Sequence, residues 1–459
     1  MGEHEAAGAY NRAGGEAHLR GDEKAWLRKL GYIYRKKKTI VYIDGHERKD
    51  VVEYRKKVFL PAMAQFQQRM RTYEGEDCMK VVLPNLVPGE RELVLVVHDE
   101  CAVACKDGTI SGWMSRNHPT PLPKSKGPCL MVSEFLSEMI GRLRLSEKEW
   151  DEMVDKDPDL CKELRTIFIS LNKDDLMAHL EGPSARVLLE TGKGRDGYWT
   201  GNDLVAQVMK LAIKFFELTH GPERQALFLF DNSKCHGIMA SDSLDSRAMN
   251  LNPGGKQPKM RKGWYMEDGV RVEQSMVFED TDIVQFSFSI NVDGKKYSFK
   301  QGDAVKGTVL VGQPKGIRRV LWERGLWTDN LKGVCVKQPK RVEGEEEKEE
   351  EEEVHKHAAE GTENHGRCCA TMLMSQQPDF QEQKCWLEEV IKAAGHEIIF
   401  LPKFHPELNF IERYWGRTKK WLRYHCDETW ASLRLTLVHA LDNEKWCSLS
   451  LLRKYARVC

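Results

Sequence analysis

The chain has 459 residues, more than one ordinary hydrophobic core usually serves, so its length predicts two or three domains or one domain with large insertions. With 41% hydrophobic and 31% charged residues it has enough apolar material to fold, which excludes a peptide hormone or a small disulfide module. The 70 Lys and Arg equal the 70 Asp and Glu, so any site for a polyanion must be local.

The amino terminus and the cysteines favour a reducing compartment. The first residues lack the apolar core of a signal peptide, and no apolar stretch is long enough to span a membrane. The 13 Cys, an odd number, are scattered without the spacing of a disulfide framework. We therefore expect a protein of the cytosol or nucleus without a membrane anchor.

Composition divides the chain into six segments. The first residues are polar and rich in Gly and Ala, and an almost unbroken acidic run from Glu343 to Glu353 repels itself, so neither is expected to fold. In order, the segments are a disordered lead at 1–24, a preface at 25–90, the first part of an α/β core at 91–238 with a helical insertion at about 146–180, an inserted subdomain at 239–342, an acidic linker at 343–365, and the second part of the core with basic C-terminal helices at 366–459.

Apolar runs alternate with helical patterns in the two core segments, which predicts an α/β fold. The inserted subdomain contains a hairpin pattern and a short helical pattern instead. Predicted strands lie at 39–43, at 92–103, at 129–136, from Ala185, up to Asp231 and at 396–402; predicted helices lie from about Lys49, at 201–220, at 316–327, at 378–395 and at 406–425; the hairpin lies at 286–299.

Three acids stand at comparable places in this pattern: Asp99 and Asp231 end apolar strands, and Glu412 lies in the first turns of a helix after a third. Strand ends meet at one edge of an α/β sheet, so the three carboxylates are expected to converge. Hard divalent cations such as Mg²⁺ or Mn²⁺ usually compensate converging carboxylates, and two of them support phosphoryl transfer on nucleic acid. Taken singly, each acid is an ordinary cap or turn residue. Glu100 should face away from Asp99, because successive strand side chains point to opposite faces, and is not expected to be a ligand.

The sequences around these acids resemble a known family. VVHDE at Asp99, FLFDNSKCH at Asp231 and FLPKFHPELNFIERYWGRTKK at Glu412 resemble the three catalytic blocks of the mariner-like DDE transposase superfamily. The third block is the most specific, and the chain looks closest to the large-insertion DDE endonucleases of fungal mobile elements, which share stretches similar to MVSEFL and NPGGKQPKM. Similarity runs from about Trp26 to Tyr424. The resemblance implies a ribonuclease H-like mixed sheet flanked by helices, with large insertions.

The resemblance also assigns roles to single residues. Asp99, Asp231 and Glu412 match the catalytic, metal-binding triad, which implies two Mg²⁺ or Mn²⁺ ions. His236 is expected beside the site, either in a catalytic role or as a buried supporting or packing residue. Asn409 is expected to cap the helix that bears Glu412, as in a capping box.

The helix after the third acid carries a Trp and a row of basic residues. Trp415, one helical turn after Glu412, is expected to pack in the core. The basic residues form either a solvated face or, by the interpretation that we prefer, contacts to the DNA backbone. They are Arg413, Arg417, Lys419, Lys420 and Arg423.

Some features depart from the family pattern. Phe410 replaces the Pro common in its Asn-Pro-Ile-Glu sequence. The gap from Asp231 to Glu412 is 412 minus 231, or 181 positions, which is long, as in the fungal subgroup. No helix-turn-helix module is evident before Asp99, so we expect DNA binding with little sequence preference.

Other candidate sites are weaker. The segment GKGRDG at 192–197 lacks the spacing of a phosphate-binding loop. Two groups of cysteines lack the paired CxxC spacing of zinc sites, and buried thiols are the alternative. These groups are Cys101 with Cys105, and His365 with Cys368 and Cys369.

We therefore predict a transposase-derived, Mg-dependent DDE endonuclease that cleaves DNA, with strand transfer as a further option. The implied partner is double-stranded DNA at mobile-element ends, with a homodimer as one option, and the implied location is the nucleus. The alternative is a catalytically inactive or host-recruited DNA-binding remnant of a mobile element.

Overall fold

The structure is a computed structural model. It describes residues 21–36, 45–107, 111–115, 125–172, 183–334, 368–442 and 447–458. The chain divides into two compact units: Met1–Ile238 with Trp386–Cys459 form the first, and Met239–Cys385 form the second.

The strands and helices follow in chain order. The strands are β1 Tyr32–Lys36, β2 Thr72–Glu74, β3 Lys80–Val82, β4 Glu92–Ala104, β5 Ser111–Ser115, β6 Cys129–Ser137, β7 Gly141–Arg142, β8 Val187–Thr191, β9 Arg224–Phe230, β10 Gly263–Glu267, β11 Val270–Gln274, β12 Phe288–Val292, β13 Lys295–Phe299 and β14 Glu397–Phe400. The α-helices are α1 Gly21–Lys29, α2 Lys49–Tyr54, α3 Leu60–Gln67, α4 Glu147–Lys156, α5 Pro158–Asn172, α6 Gly201–Gln207, α7 Ile213–His220, α8 Gly316–Glu323, α9 Ala370–Ser375, α10 Pro378–Glu382, α11 Trp386–Ala393, α12 Ile411–His425, α13 Trp430–Leu441 and α14 Leu449–Val458. Single π-helical turns at Arg55–Phe59 and Val208–Ala212 join α2 to α3 and α6 to α7.

A six-stranded mixed sheet forms the centre of the first unit. Strand β4 pairs in parallel with β9 and antiparallel with β6, β14 extends the sheet beyond β9, and both β7 and β8 pair with β6. Helices flank this sheet. The predicted α/β class is confirmed, and the architecture is consistent with a ribonuclease H-like fold.

The two faces of β4 are covered by different parts of the chain, because side chains alternate along a strand. Leu93, Val97 and Cys101, on the odd-numbered face, share a buried cluster with Ile411 and Trp415 of α12. The residues that are even-numbered in β4 face the other way. Asp99 therefore lies on the face that α12 covers.

The preface belongs to the first unit. The Tyr54 hydroxyl donates to the Phe400 carbonyl at 2.8 Å, and Phe59 is buried in the same core as α12. The helix predicted from Lys49 is present, whereas the strand predicted at 39–43 lies outside the described residues. The predicted disordered lead is wrong at its end: residues 21–24 begin α1, in which Leu27 is the buried apolar side chain, so the helix has little hydrophobic periodicity.

The second unit contains two hairpins and its own apolar clusters. The hairpin predicted at 286–299 is present as β12 and β13, which are joined by Asp293 and Gly294 at φ 49° and 77°. Helix α8 packs with α9 in one cluster that includes Val320 and Met374. Residues 368–385 thus lie in the second unit, although we expected the core to resume at 366. The predicted acidic linker, 343–365, lies outside the described residues.

One predicted helix is wrong. The pattern at 378–395 forms two helices, α10 and α11, because Gln383 leaves helical geometry with φ −61° and ψ 124°. Its side-chain carbonyl instead accepts a hydrogen bond from the Leu244 N–H at 3.1 Å. The boundary between the units falls between these two helices. None of the helices in the described ranges is long and apolar enough to cross a membrane.

Candidate active site

Asp99 lies on β4 beside helix α12. Its Oδ2 accepts a hydrogen bond from the indole Nε1 of Trp415 at 3.1 Å. Burial, together with the negative charges of Glu412, Glu100 and Asp231, raises the pKa of Asp99 to about 8. Trp415 is buried in the core, as predicted, and it also orients this carboxylate.

Asp231 is the first residue after β9. Its Oδ1 accepts a hydrogen bond from the Ser233 N–H at 3.1 Å and lies 2.5 Å from Nδ1 of His236. The same ring nitrogen lies 3.0 Å from the Asp231 carbonyl oxygen. Burial favours the neutral imidazole, but hydrogen bonds with groups that include Asp231 and Glu100 outweigh it and raise the pKa of His236 to about 12. Asp231 is 46% exposed and His236 is 1% exposed, so a buried ring supports an open carboxylate.

Glu412 lies in the first turn of α12. The segment before this helix is bound to the end of β9: the Leu401 N–H donates to the Phe230 carbonyl at 2.8 Å, and the Asn232 side-chain amide donates to the Leu401 carbonyl. Burial raises the pKa of Glu412, and so does the charge of Asp231. Backbone contacts between the second and third blocks thus bring their acids into one region.

The predicted capping box at α12 is wrong. The N-cap residue is Phe410, which has helical φ and ψ of −66° and −17° and whose side chain makes no cap hydrogen bond. With Phe410 as the N-cap, the third helical residue is Arg413, which is not an acid. Oδ1 of Asn409 accepts a hydrogen bond from the Ile411 N–H at 3.4 Å, and its Nδ2 donates to the carbonyl of His98 at 3.0 Å. It connects the third block to β4, one residue from Asp99.

Glu100 faces away from Asp99, as expected, but it is not an isolated side chain. Among the residues that the structure describes, His98, Glu100 and His236 are the one group of three potential ligands whose ligand atoms all lie within 4.8 Å of one another. Burial lowers the pKa of His98 to about 4. Burial alone would raise the pKa of Glu100, but the two imidazoles and the Trp199 N–H lower it to about 2. Two polar residues at positions 98 and 100 of an apolar strand share a face, a signal that the sequence contained.

A buried ion pair lies next to Asp99 and was also missed. Glu134 of β6 is directly opposite Asp99 in the register and is fully buried. Its carboxylate accepts a hydrogen bond from Nε of Arg186, which is 1% exposed. Arg186 also lies 3.3 Å from the Asp442 carboxylate and 3.5 Å from the Tyr414 hydroxyl. In the sequence, the signal for this pair was one acid, Glu134, and one base, Arg186, each inside an otherwise apolar strand, where a charge needs a partner.

Two of the five basic residues on α12 have acidic neighbours. Lys419 lies close enough to Glu412 for its positive charge to lower the pKa of that acid. Arg423 donates to the Asp107 carbonyl at 3.3 Å and to its carboxylate at 3.2 Å. Lys419 therefore lies near the acids, and Arg423 is engaged within the first unit.

The other three follow a second row along the helix. The Arg413 guanidinium lies 5.9 Å from the centre of the Tyr455 ring, and Arg417 is close enough to affect the same phenol. Lys420, two turns after Arg413, is exposed. This row presents positive charge at the surface of the first unit.

The cysteines considered as zinc ligands are not part of any such ligand group in the described ranges. Cys101 is buried, and burial raises the pKa of its thiol to about 12. Cys369 lies at the start of α9, where its sulfur accepts a hydrogen bond from the Met372 N–H. His365 lies outside the described residues.

Comparison with known proteins finds a family model that matches the third block. A family model described as DDE superfamily endonuclease matches residues 314–432, a range that includes Glu412 and begins after Asp99 and Asp231. No curated protein matches the chain. No solved structure matches it either. The family match supports the DDE superfamily for this chain and suggests transposase-like nuclease activity.

Proposed function

We propose that the chain is a mariner-like DDE endonuclease, related to the large-insertion enzymes of fungal mobile elements, that cleaves DNA with Asp99, Asp231 and Glu412. One observation carries the proposal: acids from three separate sequence blocks lie near enough that Glu412 and Asp231 both raise the pKa of Asp99. A strand, a strand end and a helix start supply one acid each. Such convergence is typical of metal-dependent phosphoryl transfer.

The three carboxylates fit hard divalent cations. All of them supply oxygen ligands, and neighbouring negative charge disfavours ionised Asp99 unless a cation offsets it. As the resemblance implies, Asp99, Asp231 and Glu412 would hold two Mg²⁺ or Mn²⁺ ions. Held by these carboxylates, such ions would supply activation of a water or 3′-hydroxyl and stabilisation of the leaving oxygen of a phosphodiester.

The chain's own residues hold these acids in place. Trp415 donates to Asp99, and the Ser233 N–H and His236 fix the carboxylate of Asp231. Lys419, beside Glu412, supplies a positive charge that would attract a phosphate of the substrate. Restricting the carboxylates of Asp99 and Asp231 to one orientation lowers the cost of assembling the site during the reaction.

The basic row on α12 supports double-stranded DNA at mobile-element ends as the substrate. Arg413, Arg417 and Lys420 lie on the helix that carries Glu412, and phosphate contacts position DNA without reading its bases. We therefore propose binding with little sequence preference. Strand transfer would use the same site with a 3′-hydroxyl as nucleophile, and a DNA substrate implies a nuclear location.

Plasmid nicking tests the proposal. The full chain should nick supercoiled DNA in Mg²⁺ or Mn²⁺, and Asp99→Asn, Asp231→Asn and Glu412→Gln should each abolish nicking without unfolding the protein. Glu163→Gln, at an exposed position of α5, is the matched control and should nick like the wild type. A triad variant that retains wild-type nicking would refute the assignment. Wild-type chain that binds DNA but never nicks would favour the alternative, an inactive or host-recruited remnant.

A further inference from the structure

The face of β4 opposite Asp99 carries a second cluster of potential ligands. His98 and Glu100 come from the strand, and His236 comes from the loop after β9. The two imidazoles are closed to solvent, since His98 is fully buried and His236 is 1% exposed, whereas Glu100 is 17% exposed. Phe135 and Phe230 lie against the His98 ring at centroid distances of 4.5 and 5.1 Å. The surroundings are apolar, and polar atoms here need partners.

Hydrogen bonding around His98 determines which of its ring nitrogens carries the proton. Nε2 of Gln207 donates to the carbonyls of Ser133 and Ala185 at 3.2 and 2.7 Å, so Oε1 of Gln207 is an acceptor. The Ser133 hydroxyl donates to that oxygen at 2.7 Å. Its oxygen must then accept from Nε2 of His98, which lies 2.8 Å away. His98 is therefore protonated at Nε2, and Nδ1 carries a lone pair.

The lone pair on Nδ1 of His98 accepts no hydrogen bond from the described residues. Nδ1 of His98 is buried and has no hydrogen-bond partner among the described residues. A buried acceptor without a partner is destabilising and rare in folded proteins. His98 is one of the three residues whose ligand atoms lie within 4.8 Å of one another, and a Lewis acid bound at its unpartnered nitrogen would satisfy that lone pair.

His236 differs from His98, because each of its ring nitrogens faces a carboxylate. Nδ1 of His236 lies 2.5 Å from Oδ1 of Asp231, which leaves Nε2 directed toward Glu100. The distance from Nε2 to Oε1 of Glu100 is 3.4 Å, longer than the roughly 2.7–2.9 Å of a charge-assisted hydrogen bond. It equals the edge, about 3.3–3.4 Å, of a tetrahedron with 2.0–2.1 Å metal bonds. The Trp199 indole N–H fixes the carboxylate at 2.9 Å.

We propose that Nδ1 of His98, the carboxylate of Glu100 and Nε2 of His236 bind one borderline divalent ion of the Zn²⁺ type. Two imidazoles and one carboxylate suit Zn²⁺ or Co²⁺ better than Mg²⁺, which prefers oxygen ligands. Each histidine uses its remote ring nitrogen to donate to an oxygen, the arrangement that orients metal-bound imidazoles in known sites.

The ion would fasten the loop after β9 to β4. It would join residues 98 and 100 of the strand to His236, whose other nitrogen holds Asp231. Glu100 would leave the bound ion with one net positive charge beside that acid. The site does not depend on the proposed DNA cleavage, since none of its three ligands belongs to the proposed triad.

Titration with Co²⁺ tests the site. Full-length Asp99→Asn protein, in which the carboxylate site is impaired, is stripped with a chelator and titrated with Co²⁺. We expect a single equivalent to produce the intense visible absorption of tetrahedral Co²⁺, and Zn²⁺ to displace it. His98→Gln, Glu100→Gln and His236→Gln should each abolish this absorption. Ser133→Ala, which removes the acceptor for Nε2 of His98, should weaken Co²⁺ binding by about tenfold or more.

His220→Gln is the matched control. His220 is 2% exposed, and its Nε2 lies 3.0 Å from the hydroxyl of Ser137, another residue of β6. Unlike Nδ1 of His98, its Nδ1 has a partner, the Thr219 hydroxyl at 2.8 Å. Replacing this buried histidine should leave the Co²⁺ absorption intact, which separates loss of a ligand from general damage to the core.

Wild-type protein gives an answer even where a variant fails to fold. Zinc content near one equivalent after purification, and a melting temperature that a chelator lowers and Zn²⁺ restores, would support the site. Octahedral Co²⁺ absorption alone, or nitrogen NMR showing His236 protonated on both ring nitrogens in excess Zn²⁺, would overturn it. A tetrahedral signature in protein that does not nick DNA would support the site and count against the proposed function.

Discussion

Removing the guanidinium of Arg186 should destabilise the first unit more than any surface change. Arg186 is 1% exposed, and its partner Glu134 is fully buried. Arg186→Met would leave the Glu134 carboxylate in the core without its compensating charge, which costs about 3–5 kcal/mol.

The double variant distinguishes the contribution of the ion pair to stability from the cost of leaving one buried charge without its partner. Arg186→Met with Glu134→Leu replaces both charges by apolar groups, so we expect it to be within about 1 kcal/mol of the wild type. Lys148→Met, which breaks an exposed pair with Glu152, should change nothing measurable.

Hydrogen exchange of the β4, β6 and β9 amides measures these differences, because the protection of a central sheet reports the free energy of its cooperative opening. If Arg186→Met lowered that free energy by less than about 1 kcal/mol, the desolvation argument would be wrong. A double variant as unstable as the single one would also contradict it, since the residual cost could not then come from an unpaired carboxylate.

Three further perturbations probe other contacts. Burial raises the pKa of Glu138 to about 7, so the stability that this residue provides is complete below about pH 4.5 and is lost as pH rises through 7. Over that window the free energy of unfolding of the wild type should fall by about 3 kcal/mol more than that of Glu138→Gln. Trp415→Phe retains the packing but removes the N–H that orients Asp99, so nicking should fall about tenfold while the melting temperature changes little. Lys420→Ala should reduce the salt slope of DNA binding, measured by anisotropy, by about 1 on unrelated duplexes alike, whereas Arg423→Ala should reduce it less because Arg423 already pairs within the protein.

The sheet strands were predictable because their apolar runs are long and local. In β4 and β9 almost every residue before the acid is buried, so the sequence itself marks both strands. Asp231 directly follows β9 as expected, but the expectation that Asp99 ends its strand is wrong, because the pairing of β4 with β6 continues to Ala104. The rule that parallel strands share an edge, which β4, β9 and β14 obey, is the basis for expecting the three acids to lie close together.

The partners of buried polar residues were not predictable in the same way. Arg186 meets Glu134 because β8 pairs with β6, an arrangement that depends on the whole sheet rather than on either strand. The capping box at α12 failed for a smaller reason. A shift of one residue in the helix start, to Phe410, makes Arg413 rather than Glu412 the third helical residue, and Asn409 connects the first helical N–H to β4 without a reciprocal acid. Local patterns define elements, whereas neighbouring elements decide which polar groups meet.

Alternation along β4 gives the candidate site two chemically different sides. The odd-numbered face places Asp99 against α12, where oxygen ligands and Lys419 suit a phosphate and hard cations. The even-numbered face places His98 and Glu100 in an apolar pocket, where nitrogen ligands suit a softer ion. Because His236 contacts both Glu100 and Asp231, a change on the second side must alter how the acid of the first side is held. A substitution at Glu100 should thus change the position of the Asp231 carboxylate as well as the cluster of His98, Glu100 and His236.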